Sequence, residues 1–78
     1  MPAGFSAGIY DLRGLKCPLP ALKTRRRLNR MTSGAELTVE TSDPLAAIDI
    51  PHLCREDGHT LVSSQKTEGG HRFVIRKA

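Results

Sequence analysis

The sequence contains little cysteine, few aromatic residues and no long apolar run, and each shortage argues against a class of protein. It has two cysteines in 78 residues, whereas small domains that depend on disulfides usually carry more. No apolar run approaches the roughly 18 residues that a membrane-spanning helix needs. With one tyrosine, two phenylalanines and no tryptophan, few side chains can stack on nucleic-acid bases. We therefore expect a cytoplasmic protein with free thiols in a reducing compartment, without a membrane partner.

The length of the chain predicts one small domain. Its 78 residues fall below the usual domain size of about 100–150 residues, and so short a chain has only a thin core. Residues 1–7, MPAGFSA, are predicted to be a loose end, and they have neither the basic start nor the apolar core of a secretion signal. We expect residues 1–78 to form a single domain with one exposed working edge.

Positive charge is concentrated in one segment of the chain. Lysine and arginine number 12 and the acidic residues 8, for a net charge of +4. The segment 18–31 holds five of the basic residues and no acidic one, while the rest of the chain is nearly neutral. This distribution indicates one positively charged surface on an otherwise balanced protein.

Hydrophobic periodicity and chain-breaking residues predict six elements. They are a strand at 8–12, a helix at 18–31, a strand at 35–41, a helix that ends at Gly58, and two strands at 59–66 and 71–77 joined by a turn at 67–70. The order β-α-β-α-β-β predicts an α/β two-layer sandwich, with two helices on one face of a four-stranded mixed sheet. The first two strands are expected to be parallel, because a helix crosses between them.

The second helix is predicted to start at Asp43-Pro44. Asp43 suits the N-cap and Pro44 the first helical position. Pro51 is expected to kink or interrupt the helix after about two turns. Cys54 falls on the apolar face, so we expect it to pack in the core as a small hydrophobic residue.

One of the two cysteines stands directly before two prolines, in the segment KCPLP at 16–20. We predict that Cys17 is the N-cap of the first helix and Pro18 its first residue. The positive end of the helix dipole then favours a lowered thiol pKa and a nucleophilic sulfur. Arg13 and Lys16 add positive charge nearby. The alternative is an ordinary buried cysteine, but the flanking prolines and basic residues favour an accessible thiol.

The other reactive residue types show no pattern that would join them to Cys17. His52, His59 and His71 have no spacing that ties them to a cysteine nucleophile. The spacing of a CxxC redox pair is absent, and the cysteines and histidines lack the paired spacing of a zinc site. We therefore expect a single thiol that is presented to other proteins, a group carrier with no metal and no cofactor.

The segment DLRGLKCPLPALKTRRRLNRM resembles the N-terminal signature of the TusA/SirA-like sulfur-carrier family, whose hallmark is Cys-Pro-x-Pro. The resemblance covers about residues 9–77 and continues through Gly34, Ser42-Asp43-Pro44, Asp49-Ile50-Pro51 with Cys54, and the closing FVIRK. It implies a β-α-β-α-β-β sandwich. It also implies that Cys17 accepts sulfur as a persulfide from a cysteine desulfurase or rhodanese-type donor and relays it to an acceptor protein. In this family the relay serves tRNA thiolation, molybdenum-cofactor maturation or sulfur-compound oxidation.

The resemblance also implies roles for the residues around Cys17. Asp43 matches a family aspartate associated with partner interaction. Leu19 stands where many members have glutamate and Ile48 where some have arginine, so both are expected to affect partner choice. The motif residues expected to position the thiol are Gly14, Pro18 and Pro20.

The first helix carries the predicted docking surface for partner proteins. Its basic residues lie opposite the apolar face, with leucines beside them, and this mixture suits a protein partner better than bare phosphate. A solvated helix face is the plain alternative. The second functional hypothesis is a small basic module that binds nucleic acid or docks to proteins without thiol chemistry. The expected docking residues are Arg13, Lys16, Leu19, Leu22, Lys23, Arg26, Arg30 and Asp43.

Overall fold

A computed structural model describes residues 9–78, so the loose end predicted at residues 1–7 lies outside the described residues. The elements are β1 (Ile9–Leu12), α1 (Leu19–Asn29), β2 (Glu36–Thr41), α2 (Ala46–Asp57), β3 (Thr60–Lys66) and β4 (His71–Arg76). The strands form one four-stranded sheet in the order β1-β2-β4-β3. β1 and β2 are parallel, and the other neighbours are antiparallel. This arrangement confirms the predicted β-α-β-α-β-β fold.

Alternation along the central strands gives the sheet one apolar face. Leu37 and Val39 of β2 are buried, and the residues between them are more exposed. In the antiparallel register Leu37 lies opposite Ile75 and Val39 opposite Phe73. These four buried side chains therefore form a continuous apolar strip across β2 and β4.

Both helices pack on that same face of the sheet. α1 buries Thr24 and Leu28, which are one helical turn apart, and α2 contributes Ile50 and Cys54 to the same core. The Thr24 hydroxyl donates to the carbonyl oxygen of Pro20 at 2.7 Å, which satisfies the buried polar group. Cys54 is 2% exposed, as expected of a core residue. Within residues 9–78, neither helix has the length and apolar character needed to cross a lipid bilayer.

The predicted start of the second helix is wrong by two residues. α2 begins at Ala46, and Leu45 rather than Asp43 is its N-cap. The reason is a tight turn ahead of the helix, in which the Ala46 N–H donates to the carbonyl oxygen of Asp43 at 3.0 Å. The Asp43 carboxylate accepts the N–H of Leu45 at 3.1 Å, so it stabilises this turn instead of the first helical turn.

Pro51 was expected to kink or interrupt the second helix, and the structure shows no interruption. α2 is continuous from Ala46 to Asp57 with Pro51 inside it. A proline removes a single intrahelical hydrogen bond, and burial of the flanking apolar face, including Ile50, offsets that loss. Gly58 ends the helix as predicted, with a left-handed φ of 78° that favours glycine.

The first helix is shorter than the predicted 18–31. At its end, the N–H groups of Arg30 and Met31 donate to the carbonyl oxygens of Arg27 and Leu28, at 3.1 and 3.0 Å. These bonds reach back three residues, so the last turn is tighter than an α-helix. Arg30 is the C-cap of α1.

The turn between β3 and β4 brings one glycine against the backbone of β2. The Thr67 N–H donates to the Gly70 carbonyl oxygen at 2.8 Å, which closes the turn predicted at 67–70. A methyl group on Gly70 would collide with the carbonyl oxygen of Thr41, whereas around Gly69 nothing lies within 4 Å. The two adjacent glycines therefore have different steric tolerance.

We expect Gly70→Ala to lower the free energy of unfolding by about 1–3 kcal/mol, because the added methyl group must displace the backbone of β2. Gly69→Ala is the matched control, and its effect should stay within about 0.5 kcal/mol. Urea unfolding of both variants measures the difference. Equal stability of the two variants would contradict the close packing described here.

Candidate functional site

Cys17 lies at the edge of the sheet where two parallel strands end. The carboxyl ends of parallel neighbours meet at one edge, so the loop after β1 lies beside the segment after β2. The Gly14 N–H donates to the hydroxyl oxygen of Ser42 at 2.7 Å, which joins the two segments. Gly14 has a φ of 88°, which is the left-handed conformation that glycine adopts readily. The backbone at Gly14 therefore directs the chain towards Cys17.

The predicted N-cap of the first helix is wrong by one residue. α1 begins at Leu19 with Pro18 as its N-cap, and no side chain caps it. A thiol at the N-cap would accept from the Leu19 N–H, but that group donates to the carbonyl oxygen of Lys16 at 2.8 Å. Cys17 therefore precedes the helix, and its sulfur is not a cap.

Two aspartates form hydrogen bonds with Cys17: Asp43, which precedes α2, and Asp49, which lies in its first turn. The Cys17 backbone N–H donates to Oδ2 of Asp43 at 2.6 Å. The Cys17 thiol donates to Oδ2 of Asp49 at 2.9 Å. The same residue is thus bound through its backbone and its side chain, while the thiol stays exposed.

These carboxylates reverse the expected shift of the thiol pKa. The hydrogen bond to Asp49 raises the pKa of Cys17 above its ordinary value, and partial desolvation and the negative charges of Asp49 and Asp43 act in the same direction. The expectation of a lowered pKa is therefore wrong. Its physical reason is that the sulfur donates to a carboxylate instead of accepting from helix N–H groups.

Asp43 is itself stabilised in its ionised form. The N–H groups of Cys17 and Leu45 donate to its two oxygens, and with the nearby Lys16 ammonium they hold the pKa of Asp43 below its usual range. The positive charge expected from Lys16 thus acts on Asp43. This carboxylate remains charged at neutral pH and keeps its hold on the Cys17 backbone.

Arg13 is engaged in ion pairs of its own. Its guanidinium donates to both carboxylate oxygens of Asp11 at 2.8 and 2.9 Å and lies 3.8 Å from Glu40. This contact lowers the pKa of Asp11 to about 2. The charge of Arg13 is therefore balanced by acidic neighbours along the strands.

A groove of about 270 Å³ opens beside the thiol, between α1 and α2. Arg25 lies in its wall and donates to Asp57 at 2.8 Å and Glu56 at 3.0 Å. His52 Nε2 lies 3.4 Å from Glu56. The lining residues are Cys17, Pro18, Ala21, Leu22, Arg25, Asp49, His52, Leu53 and Glu56.

Large apolar side chains are exposed on α1 and around the start of α2. Leu19 and Leu22 of α1 are 45% and 52% exposed, and Leu45 and Ile48 of the facing segment are 52% and 66% exposed. Leu22 lines the groove together with Cys17, Leu19 follows Cys17 by two positions, and Ile48 precedes Asp49. Large apolar side chains this exposed, on the two segments that border one groove, are typical of a surface that contacts another protein. We call Leu19, Leu22, Leu45 and Ile48 the apolar rim.

The basic residues of α1 fall into two groups: those that contact an acidic or aromatic side chain, and those that form no salt bridge among residues 9–78. Arg25 is in ion pairs, and the Arg27 guanidinium lies 4.0 Å from the centre of the Tyr10 ring. Lys23, Arg26 and Arg30 are exposed, and among residues 9–78 no carboxylate forms a salt bridge with them. We call these three residues the basic face.

The residue that the sequence interpretation missed is Asp49. It belongs to the Asp-Ile-Pro element at 49–51, so its place in that element was the available signal. The contact with Cys17 spans 32 positions of the chain, which no local spacing rule detects. In the part of the chain that the structure describes, histidine, cysteine and acidic side chains form no group of three that could ligate a metal ion.

We expect alkylation of Cys17 by iodoacetamide to accelerate with pH beyond the ordinary thiol pKa of about 8.5, because the two carboxylates disfavour the thiolate. The rate is measured by mass spectrometry on the Cys54→Ser variant, in which Cys17 is the one remaining thiol. In the Cys17→Ser control, the buried Cys54 should react only after unfolding. A reaction at half its maximal rate below about pH 8 would contradict the described electrostatics.

A known protein family matches most of the chain. The family model of sulfurtransferase TusA matches residues 9–77. The matched range includes every helix and strand described above and the whole Cys17 loop. Proteins of such a family exchange sulfur with donors and acceptors. The chain belongs to the TusA sulfurtransferase family.

Proposed function

We propose that the protein is a sulfur carrier that accepts sulfane sulfur as a persulfide on Cys17 and relays it to an acceptor protein. The observation that carries this proposal is the exposed Cys17 thiol, held by two aspartates at the mouth of a groove. A carrier needs one sulfur atom that two different proteins can reach in turn. Cys54 is 2% exposed and does not meet that requirement.

The chemistry is an exchange between thiols and persulfides. The sulfur of Cys17 attacks the outer sulfur of the donor persulfide, a new S–S bond forms, and the donor leaves as a thiol. A thiolate of the acceptor then attacks the same outer sulfur, and Cys17 is released. The transferred sulfur keeps its oxidation state, so each step is a displacement that consumes no oxidant or reductant.

The donor is a cysteine desulfurase or a rhodanese-type protein, and the acceptor is a further protein of the relay. Both dock on the apolar rim and the basic face around Cys17. The apolar rim supplies the desolvated centre of such a contact, and the basic face attracts an acidic partner surface. Leu19 and Ile48, the two residues expected to affect partner choice, are both part of the apolar rim.

The remaining docking residues border this surface. Asp43 acts on the partner through the loop that it holds, because its two oxygens are bonded to Cys17 and Leu45. Lys16 lies near Asp43, and Arg13 is on the same loop as Lys16, between β1 and α1. Gly14, with Pro18 and Pro20, positions the thiol-bearing loop.

The relay feeds tRNA thiolation, molybdenum-cofactor maturation or sulfur-compound oxidation. We place it in the reducing cytoplasm, because the chemistry needs a free thiol and both cysteines are free. In that compartment Cys17 is already a free thiol when it meets the desulfurase or rhodanese-type donor, so a persulfide can form without prior reduction of a disulfide.

Incubation with a cysteine desulfurase and cysteine should add one sulfur, ~32 Da, to the wild-type protein and to Cys54→Ser, because both retain the exposed thiol. The Cys17→Ser variant should gain no mass while its unfolding curve matches that of the wild type. Intact-protein mass spectrometry measures the gain, with thiosulfate and a rhodanese as a second donor system. Sulfur loading of Cys17→Ser equal to that of the wild type would refute the proposal.

Reversal of charge on the basic face should weaken donor docking. We expect Arg26→Glu to raise the KM for the donor by up to about fivefold, which corresponds to the ~1 kcal/mol of an exposed ion pair. Arg55→Glu, on the exposed side of α2, is the matched control and should leave KM unchanged. Initial rates of loading at several donor concentrations measure the effect.

The same pair of variants separates the carrier from the nucleic-acid module. If Arg26→Glu weakened salt-dependent RNA binding and left sulfur loading unchanged, the basic face would serve nucleic acid. RNA binding that was also indifferent to Cys17→Ser would complete the case for that second function.

A further inference from the structure

Asp49 touches the reacting sulfur, and the relay described so far assigns it no task. Its Oδ2 lies 2.9 Å from Sγ of Cys17, within the distance at which a carboxylate accepts a proton directly. Asp49 lies in the first turn of α2, on an element with a buried apolar face. The carboxylate is therefore held on a rigid support while the thiol faces solvent.

The other charged groups near the thiol are committed elsewhere. Asp43 binds the Cys17 backbone and the Leu45 N–H. Glu56 is bonded to Arg25 and contacts His52 in the groove. Lys16, on the same loop as Cys17, acts on Asp43. Asp49 is the described group that meets Sγ at hydrogen-bond distance.

The resting state has one proton between Sγ and Asp49. Because the carboxylate disfavours the thiolate, only a small part of the protein has an ionised sulfur at neutral pH. An attack on a donor persulfide must nevertheless end with that proton removed from Sγ. The Asp49 carboxylate keeps the thiol protonated at rest. It can still assist the transfer if it accepts the thiol proton during the attack.

We propose that Asp49 is the general base of sulfur loading and the general acid of sulfur delivery. This inference rests on the proposed function of Cys17 as the carrier. During loading, Sγ of Cys17 bonds to the outer sulfur of the donor persulfide and the donor S–S bond breaks. The thiol proton moves to Oδ2 of Asp49, and from there it passes to the departing donor thiolate, so protons and electrons balance.

Delivery runs the same steps in reverse. The acceptor thiolate attacks the outer sulfur, the S–S bond to Cys17 breaks, and Sγ leaves with the bonding electron pair. A proton from Asp49 converts that thiolate to the thiol and restores the hydrogen bond of the resting state. That proton comes from the acceptor thiol, which passes it to the ionised Asp49 before the attack, so the cycle ends with Asp49 ionised and Cys17 as a thiol.

The test compares two reactions of Asp49→Asn that respond in opposite directions. Alkylation by iodoacetamide uses the free thiolate, so removal of the negative charge should accelerate it several-fold at about pH 7. Persulfide loading from a desulfurase should instead slow by about 10²-fold, which is the lower range for loss of a general base. Glu68→Gln, at the exposed turn between β3 and β4, removes the same charge and should change neither rate.

The pH dependence of loading provides a second measurement. The ratio of the Asp49→Asn rate to the wild-type rate cancels the pH dependence of the donor and of the groove residues that both proteins share. We expect this ratio to rise about tenfold per pH unit from pH 6 to pH 8, because the variant depends on its thiolate fraction. Asp49→Glu, which keeps a carboxylate, should load with the pH dependence of the wild type at a reduced rate. It also serves as the second variant if Asp49→Asn does not fold.

Two results would overturn the inference, and they are distinguishable. If Asp49→Asn were both alkylated and loaded faster than the wild type, Asp49 would only suppress the thiolate. If no donor loaded the wild type while the alkylation rates changed as described, the proposed function itself would fail, and proton transfer by Asp49 in a relay would fail with it.

Discussion

The site depends on the two hydrogen bonds that join Cys17 to Asp43 and Asp49. The parallel pairing of β1 and β2 brings the loop after each strand to the same edge of the sheet, and these bonds then fix one loop against the other. Asp43 holds the backbone at 2.6 Å and Asp49 the sulfur at 2.9 Å. A third hydrogen bond, from the Gly14 N–H to Ser42, joins the same two segments closer to the sheet. The groove between α1 and α2 opens beside the sulfur atom that this pair of hydrogen bonds positions.

The same contacts explain how the Cys17 thiol can be exposed and still react slowly with small molecules in solution. Oxidation of a cysteine follows its thiolate character and its exposure, and Cys17 is exposed. The carboxylate of Asp49 lowers the thiolate fraction, so the free carrier is less reactive towards small oxidants and electrophiles. In the proposed mechanism, a partner that docks on the apolar rim brings its persulfide to within bonding distance of Cys17, and Asp49 is in place to accept the thiol proton. The arrangement favours reaction with a docked protein over reaction with molecules in solution.

The sequence predicted the fold well because the fold depends on local patterns. Alternation in β2 and the apolar positions of both helices define the core. The second helix ends at Gly58 as predicted, and Gly14 and Gly58 both have a positive φ. The helix starts were less predictable, since the turns before α1 and α2 compete with the caps. The thiol pKa was mispredicted because its cause, Asp49, is 32 positions away and becomes a neighbour only after the sheet forms. Local pattern thus singled out Cys17 but not the carboxylate that is hydrogen-bonded to its thiol.

The most direct test of the account is the state of Cys17 in the cell. The protein is recovered from the cells that make it under conditions that trap persulfides by alkylation, and its peptides are examined by mass spectrometry. If Cys17 is the carrier, the peptide that contains Cys17 should have an additional sulfur and the peptide that contains Cys54 should have none. The added sulfur should disappear when the cell's sulfur donor is deleted. Sulfur found equally on both cysteines, or never on Cys17, would contradict the central claim.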